Sequence, residues 1–502
     1  MDAHGGINVS IPDHVKQGEA ARLFPVLSES SREGRATSVL LATLGVVDTL
    51  ADALFRRLGR PIGKRAKVQC FTEVVLKSDP KFRPDGLVIV DSGRDVWSAL
   101  VECKVGREVV RAEQLEAYLR KARENGIDCV LTISNELVAD PRRPPVTIDG
   151  RLTKSVSNYH YSWLAIRSEA EIAYAQKLVS DPEKNYILAE LIRFLSHPST
   201  GVQGFGQMPE CWPTIVNEIG AGHVPSRSDA RTLEIADAWL QEEMEISLIL
   251  SRLVSRRCVS RSERRLAKQD PREAVAAELE EKQSLITDFE IPDAAAPIVV
   301  RADLRSRLTR IAMTLRAPED RKRPDARLNW LLAQLKTTDP KGVDIVAHWP
   351  GRARSTMAPL HRLREDTGPL LGQVSGLIPY AFDVVYTCHT PGSFVGRKRF
   401  LTDLETAIQH FYTVAGRHLG AWAPKAPPPA ARTAAEVIEE ASAIDAERRT
   451  VESLALVLET FGQSRESPPT ELETFDGNSP VDDRVEDAGE AAEPDHHPRA
   501  ES

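Results

Sequence analysis

Residues 84–104 read PDGLVIVDSGRDVWSALVECK, and this stretch decides the fold of the first part of the chain. Gly86 to Val90 and Val96 to Lys104 are apolar runs of strand length. Between them, Asp91-Ser92-Gly93 has the residue types that favour a tight turn. The stretch therefore predicts two neighbouring strands, with charged residues where the first begins and the second ends.

The flanking sequence predicts further helices and strands. Apolar residues at steps of three and four from Ser31 to Leu58 indicate an amphipathic helix, and Lys67 to Lys77 has the pattern of a strand. A helix over 109–125 and an apolar strand at Cys129 to Ile133 follow the quoted stretch. A strand at 159–166 and helices at 169–179 and 185–195 complete the pattern. The order helix, three strands, helix, strand predicts an α/β domain over residues 1–196, with a mixed sheet flanked by helices.

Asp85, Glu102 and Lys104 are the first candidate catalytic residues. Glu102 and Lys104 are two residues apart, so they project from the same face of one strand, and Asp85 lies at the start of its neighbour. Because adjacent strands are about 4.8 Å apart, the two carboxylates can converge on one hard cation. Mg²⁺ (or Mn²⁺) accepts oxygen ligands, so Asp85, Glu102 and the backbone carbonyl of Cys103 form a predicted metal site. A carboxylate within the apolar run before Lys104 is also costly to bury unless it is paired or bound.

This predicted site suits the hydrolysis of a phosphodiester. A bound Mg²⁺ can lower the pKa of an attacking water and polarise a phosphoryl oxygen. Lys104 can position or deprotonate that water and offset charge in the transition state. Gln114 and Tyr118 are four residues apart, so they share one side of the next helix and can reach back to the metal and the phosphate.

The same residues resemble the signature of the PD-(D/E)XK nuclease superfamily, which is an Asp followed by a strand with an acidic-x-Lys pattern. Here the pattern reads Pro84-Asp85 and Glu102-Cys103-Lys104, and QLEAY at 114–118 is similar to the helix motif of the RecB-like branch. The resemblance covers roughly the first 165 residues. It implies a restriction-endonuclease-like core in which Gln114 and Tyr118 belong to the nuclease site.

The resemblance also implies a further acidic residue from an upstream helix or strand. Glu33, at the head of the first predicted helix, and Glu73, on the first predicted strand, are the two candidates. Glu73 is slightly preferred because the alternation within Phe71 to Val75 gives it a site-facing position. The implied function is a Mg²⁺-dependent nuclease acting on DNA, with a bacterial defence or repair role by analogy.

Other interpretations remain open at this point. An Asp with a Glu-x-Lys pattern also occurs by chance on solvated strand edges, although the order of elements around Glu102 favours a nuclease. A catalytically inactive nuclease fold that binds nucleic acid or serves as a scaffold is the main alternative. Cleavage of RNA is a third.

The rest of the chain predicts a second part with a separate core. Gly, Ser and Pro over 197–230 indicate a linker, and the helical run after it indicates a spacer over 231–290. Apolar strands and helical pieces alternate over 296–420, which predicts a second mixed α/β domain.

The first part of that second domain is basic. From Arg301 to Arg354, 13 Lys and Arg stand against 6 Asp and Glu, a local net charge of +7. Most such segments are solvated faces, but a basic surface beside a nuclease also suits contact with a nucleic-acid backbone. The candidate contacts are Arg316, Arg321, Lys322, Arg323 and Arg327.

The C-terminal region carries the acidity of the chain. A Pro/Ala-rich linker and an amphipathic helix are predicted over 421–462, and the seven-residue spacing at 437–461 suggests docking on a partner or self-association. Residues 463–502 hold 12 Asp and Glu against 3 Arg, a net of −9 that predicts a disordered tail. Of the total charge of −8, residues 1–462 therefore keep +1, which does not exclude nucleic acid as a partner.

The six cysteines show no CxxC pair and no nearby His, so neither a zinc site nor a disulfide framework is indicated. Residues 1–10 lack the features of a signal peptide, and the most apolar stretch, Val39 to Phe55, contains two Asp residues. The sequence predicts a cytoplasmic protein with reduced cysteines and no membrane association.

Overall fold

A computed structural model describes the chain over residues 12–28, 31–63, 65–388 and 391–424. The chain divides into two compact units, Met1–Pro424 and Lys425–Ser502. The second unit lies outside the described residues. The predictions of an amphipathic helix at 437–461 and of an acidic tail at 463–502 fall there.

The first part of Met1–Pro424 is built on one six-stranded sheet. Its elements are β1 (Val15–Ala20), α1 (Arg32–Val46), α2 (Asp48–Arg57), β2 (Lys67–Leu76), β3 (Gly86–Asp91), β4 (Val96–Cys103), α3 (Ala112–Glu124), β5 (Cys129–Ser134), β6 (Ser157–Ser162), α4 (Trp163–Ala175) and α5 (Pro182–Ser196). The strand order is β1-β2-β3-β4-β5-β6. Strands β1 to β4 pair antiparallel, whereas β5 and β6 continue the sheet in parallel. The predicted mixed α/β architecture is confirmed.

Alternate residues of β4 face two different apolar cores. Val101 packs into the core formed with α1, α2, α4 and α5, and Leu100 packs into a smaller core with Leu115 and Leu119 of α3. Both faces of the central strands are therefore covered. Polar side chains gather at the C-terminal end of β4, where the buried Glu102 follows Val101.

The apolar stripe predicted as one helix over 31–58 forms two helices instead. Val47 has φ −97° and ψ 83°, outside the helical region, and the two helices meet there at 104°. Val47 is fully buried, as are Leu40 and Leu50 on either side. The apolar stripe keeps its spacing because both helices pack on the same core. The bend at Val47 is therefore not visible in the sequence pattern.

Within the part of the chain that the structure describes, no single helix is long and apolar enough to cross a membrane. Together, α1 and α2 have the length and the apolar composition of a membrane-spanning segment, but the two helices are bent by 104° relative to each other.

The second part of Met1–Pro424 is built on a seven-stranded sheet. Its elements are α6 (Trp212–Gly220), α7 (Ala230–Val254), β7 (Val259–Ser260), α8 (Arg261–Arg265), α9 (Pro271–Lys282), β8 (Ser284–Glu290), β9 (Ile298–Asp303), β10 (Leu308–Arg316), α10 (Pro324–Gln334), β11 (Val343–His348), β12 (Thr356–Pro359), α11 (Leu360–Leu363), α12 (Gly368–Leu371), β13 (Ala381–Cys388), α13 (Pro391–Phe394) and α14 (Arg397–Val414). The strand order is β12-β11-β13-β10-β9-β8-β7, with every pair antiparallel.

The division of the second part differs from the one that composition predicts. The stretch predicted as a linker, 197–230, contains α6, whose Trp212 is fully buried in the second core against Phe394 and Phe400. The stretch predicted as a helical spacer, 231–290, supplies α7 and also the strands β7 and β8 of that sheet. These segments join the second core because their apolar side chains have a sheet to pack on, which local composition does not reveal.

Candidate metal centre at the end of β4

Asp85 and Glu102 meet because β3 and β4 are paired in a fixed register. Gly86 lies opposite Val101, so Asp85, one residue before, stands opposite Glu102, one residue after. Residues directly opposite in an antiparallel pair share a face, with Cβ atoms about 5 Å apart. The backbone N–H of Cys103 donates to Asp85 Oδ2 at 2.8 Å, which fixes that carboxylate at the end of β4.

Three donors hold the carboxylate of Glu102, which is only 4% exposed. Lys104 Nζ lies 2.6 Å from Glu102 Oε1, and Gln114 Nε2 donates to the same oxygen. Tyr118 Oη donates to Glu102 Oε2. The first turns of α3 therefore reach back to the end of β4, as the four-residue spacing of Gln114 and Tyr118 predicts. A carboxylate accepts about four hydrogen bonds, so Glu102 retains room for a further partner.

Lys104 lies between two carboxylates. Its Nζ is 3.5 Å from Glu33 Oε2 on α1, in addition to its contact with Glu102. Burial lowers the pKa of Lys104, but Glu102, Glu33 and Asp85 outweigh that effect, and the net shift is upward. Its backbone is also held, because Trp163 Nε1 donates to the Lys104 carbonyl at 2.8 Å. Lys104 is therefore a fixed, protonated cation at the edge of the site.

The pKa of Asp85 depends on burial and on the charges around it. Burial and, after it, the negative charge of Glu102 raise the pKa of Asp85 to about 7, against the opposing effects of the Cys103 N–H and Lys104. Three carboxylates face a single Lys, which leaves a net formal charge of −2 with Glu33 included. Hard oxygen donors with an excess negative charge fit a divalent cation such as Mg²⁺ or Mn²⁺. The Cys103 carbonyl stays a predicted ligand.

Glu73 occupies a different position from the one its alternation predicts. Glu19 pairs with Thr72 and Gln17 with Val75, so β2 carries one extra residue as a bulge. Glu73 adopts φ 52°, in the left-handed region, and its side chain is exposed. The ion pairs of Lys104 go to Glu102 and Glu33. The geometry therefore favours Glu33 over Glu73 as the third acidic residue.

A cavity of about 260 Å³ opens beside Asp85. Gly34 of α1 and Glu73 of β2 form part of its wall, and the side chains of Arg22 and Arg83 border it. The cavity gives access to one side of the candidate metal centre. Arg22 pairs with Glu19, which also lines the cavity, and Arg83 donates to the Pro80 carbonyl, so Arg83 is the cation that can face an anionic substrate.

The five basic residues of the predicted nucleic-acid surface follow one another from the end of β10 into α10. Arg316 and Arg323 pair with neighbouring carboxylates. Arg321, Lys322 and Arg327 donate to backbone carbonyl oxygens, which leave their positive charges uncompensated. The structure thus places the basic residues together on the second part of the unit, and their contact with nucleic acid stays a prediction.

The sequence interpretation missed a second acidic cluster. Glu242 and Glu245 of α7 and Glu405 of α14 each bring one carboxylate oxygen within 4.8 Å of the other two. Asp85, Glu102 and Glu33 do not form so tight a group, because Lys104 lies between the last two. The available signal was the pair of glutamates three residues apart inside an apolar helical run. Glu405 is too distant in sequence for any pattern to connect it.

Comparisons with family models, with curated proteins and with solved structures gave no match to this chain. The function therefore has to be argued from the geometry of the site.

Proposed function

We propose that the chain is a Mg²⁺-dependent nuclease that hydrolyses phosphodiester bonds in DNA, with a restriction-endonuclease-like core over residues 1–196. The observation that carries the proposal is the convergence of Asp85, Glu102 and Lys104 at the end of β4, with Gln114 and Tyr118 bonded to Glu102. If the Glu-x-Lys pattern had arisen by chance on a solvated strand edge, Glu102 would be exposed. Its burial and three donors support a built site instead.

The order of elements gives further support. The helices α1 and α2, the antiparallel strands β2 to β4, the helix α3 and the parallel strand β5 follow the order expected for the nuclease core. In this proposal Asp85 and Glu102 hold the ion, with the Cys103 carbonyl as a further ligand. A bound Mg²⁺ supplies activation of water and neutralisation of phosphate charge.

The side chains around Glu102 have distinct tasks in the proposed reaction. Lys104 keeps its proton because three carboxylates surround it, so it acts by stabilising negative charge on the phosphoryl group rather than as a general base. Gln114 and Tyr118 fix the orientation of Glu102 through one hydrogen bond to each of its oxygens. Glu33 holds Lys104 from the side of α1.

The test is a cleavage assay on the purified full-length chain. Linear duplex, circular duplex and single-stranded DNA, and RNA of the same sequence, are incubated with Mg²⁺ or Mn²⁺ after removal of metal by a chelator. We expect metal-dependent cleavage of DNA that Glu102→Gln and Lys104→Ala each abolish. Glu113→Gln is the matched control, because Glu113 is exposed and lies directly beside Gln114 on α3.

Three outcomes contradict the proposal. Inertness of the wild-type chain on every substrate, together with salt-sensitive binding of DNA, would make the fold a binding or scaffold module. Cleavage confined to RNA would overturn the assignment of DNA as the substrate. Cleavage that survives in Glu102→Gln would move the active site elsewhere.

A further inference from the structure

The second acidic cluster, Glu242, Glu245 and Glu405, is independent of the candidate nuclease site. Glu242 is fully buried in α7, and both of its carboxylate oxygens lack a hydrogen-bond partner. A buried carboxylate without a partner is strongly disfavoured unless it is neutralised or bound to a cation. Glu242 therefore requires either a proton or a bound cation.

The spacing of the three carboxylates is compatible with a bound cation. One oxygen from each side chain lies within 4.8 Å of the other two. Two ligands on opposite sides of a cation with bonds of about 2.1 to 2.5 Å are roughly 4 to 5 Å apart. All three oxygens therefore lie close enough together to bind one hard cation.

Two arginines lie near the cluster. Arg167 and Arg252 approach it, but the described ion pairs of both go to Glu171. Burial and the other carboxylates raise the pKa of Glu242, and burial followed by Glu245 raises that of Glu405 to about 7. The charge of Arg252 lowers the pKa of Glu245 and of Glu405 but does not reverse their upward shifts, so the buried carboxylates still favour a further positive charge.

The loop that follows the first part of the unit closes over the same cluster. Phe205 donates its backbone N–H to Glu245 Oε2. A Cβ atom at Gly204 would overlap the carboxylate of Glu245, so a larger residue there would displace that side chain. The cluster thus joins α7, α14 and the loop around Gly204.

We propose that Glu242, Glu245 and Glu405 hold a structural hard divalent cation that fastens α14 and the loop around Gly204 onto α7. The ligands are all carboxylate oxygens, the donors that Ca²⁺, Mg²⁺ and Mn²⁺ prefer and that soft metals do not. The cation is distinct from the one expected at Asp85 and Glu102, and its role is to stabilise the packing rather than to take part in hydrolysis.

The test counts Mn²⁺ ions bound to the full-length chain by the loss of the free Mn²⁺ signal in electron paramagnetic resonance. We expect Glu242→Gln to bind one Mn²⁺ fewer per chain than the wild type. Glu102→Gln should lose a different ion, so the double variant should lose both. Glu281→Gln, on the exposed side of α9, is the matched control and should keep the wild-type count.

A thermal measurement accompanies the count. Ca²⁺, Mg²⁺ or Mn²⁺ should raise the melting temperature of the wild type and of Glu102→Gln, and this increase should disappear in Glu242→Gln. If Glu242→Gln does not fold, the less buried Glu405→Gln is measured in the same way. An unchanged Mn²⁺ count with an unchanged metal-dependent increase in melting temperature would overturn the proposal and leave three protonated carboxyl groups.

Discussion

Lys104 connects both sides of the candidate nuclease site. Glu102 reaches it from β4, Glu33 reaches it from α1, and both contacts use the same ammonium group. Loss of either carboxylate therefore changes the position of Lys104 as well as the local charge. Glu73, in contrast, lies on a bulge of β2 with an exposed side chain.

The positions of the two upstream glutamates predict unequal effects of their substitution. Glu33→Gln removes the ion pair with Lys104, and we expect the cleavage rate to fall by roughly 10- to 100-fold, the effect typical of residues that orient a metal site. Glu73→Gln should stay close to the wild-type rate. Single-turnover cleavage in Mg²⁺ measures both, and a larger loss in Glu73→Gln would reverse the choice between them.

His160 gives a pH dependence that does not involve the metal centre. It is fully buried on β6, with Thr132 Oγ1 2.9 Å from Nδ1 and the Glu136 carbonyl 3.0 Å from Nε2. Burial lowers its pKa from 6.5 to about 4, although the Glu136 carbonyl opposes the shift. The folded state therefore binds fewer protons than the unfolded state between about pH 4 and 6.5. In that window the free energy of unfolding falls as pH falls.

We expect acidification from pH 7.5 to 4 to remove up to roughly 3 kcal/mol of stability through His160. His160→Gln cannot bind this proton, so its free energy of unfolding should rise relative to that of the wild type over the same range. Urea unfolding at a series of pH values isolates the difference between the two chains. A difference that stays constant with pH would mean that folded His160 titrates normally.

At the level of elements, the close contact of α1 with the start of β3 positions the site. A Cβ atom at Gly86 would lie 2.4 Å from Leu41 Cδ1 and 3.1 Å from the Phe71 carbonyl oxygen. The glycine after Asp85 therefore lets α1 approach β3, which brings Glu33 near Lys104. Crowding at such a contact costs about 1 to 3 kcal/mol.

Gly86→Ala should lower the free energy of unfolding by about that amount, because Leu41 has to move. Gly150→Ala is the matched control, since nothing lies within 4 Å of a Cβ atom there and no positive φ is required. Denaturant unfolding measures both variants. Equal stabilities of Gly86→Ala and Gly150→Ala would show that Leu41 and α1 adjust freely.

The elements show which parts of the fold a sequence pattern can reveal. The predicted strands at 86–90, 96–104 and 129–133 and the helix at 109–125 agree with β3, β4, β5 and α3 to within a few residues. Their periodicity is local and strong. The bulge at Glu73 and the corner at Val47 depend on packing partners elsewhere, so neither appears in the local pattern.

At the level of the whole molecule, α7 connects the two sheets. Met244 of α7 packs with Leu137 and Leu164 from the first part of the unit. Gln241 Oε1 accepts the Leu137 N–H at 3.3 Å, and Arg252 pairs with Glu171 of α4. Composition predicts a boundary near residue 197 because Gly, Ser and Pro are frequent there, but it cannot show that the following helix returns to the first core.

These contacts predict that a chain cut after Ser196 is less stable than the same residues within the full chain. The cut removes Met244, exposes Leu137 and Leu164, and deletes the Gly201 carbonyl that accepts the Gly106 N–H at 2.8 Å. Loss of this apolar burial should lower the melting temperature and increase the binding of a hydrophobic dye. A chain ending at Pro424, which keeps the first compact unit whole, is the control for truncation. If the 1–196 chain melts cooperatively at the temperature of the full-length chain, the contacts with α7 do not stabilise residues 1–196. The boundary that composition predicts near residue 197 is then the end of an independently stable domain.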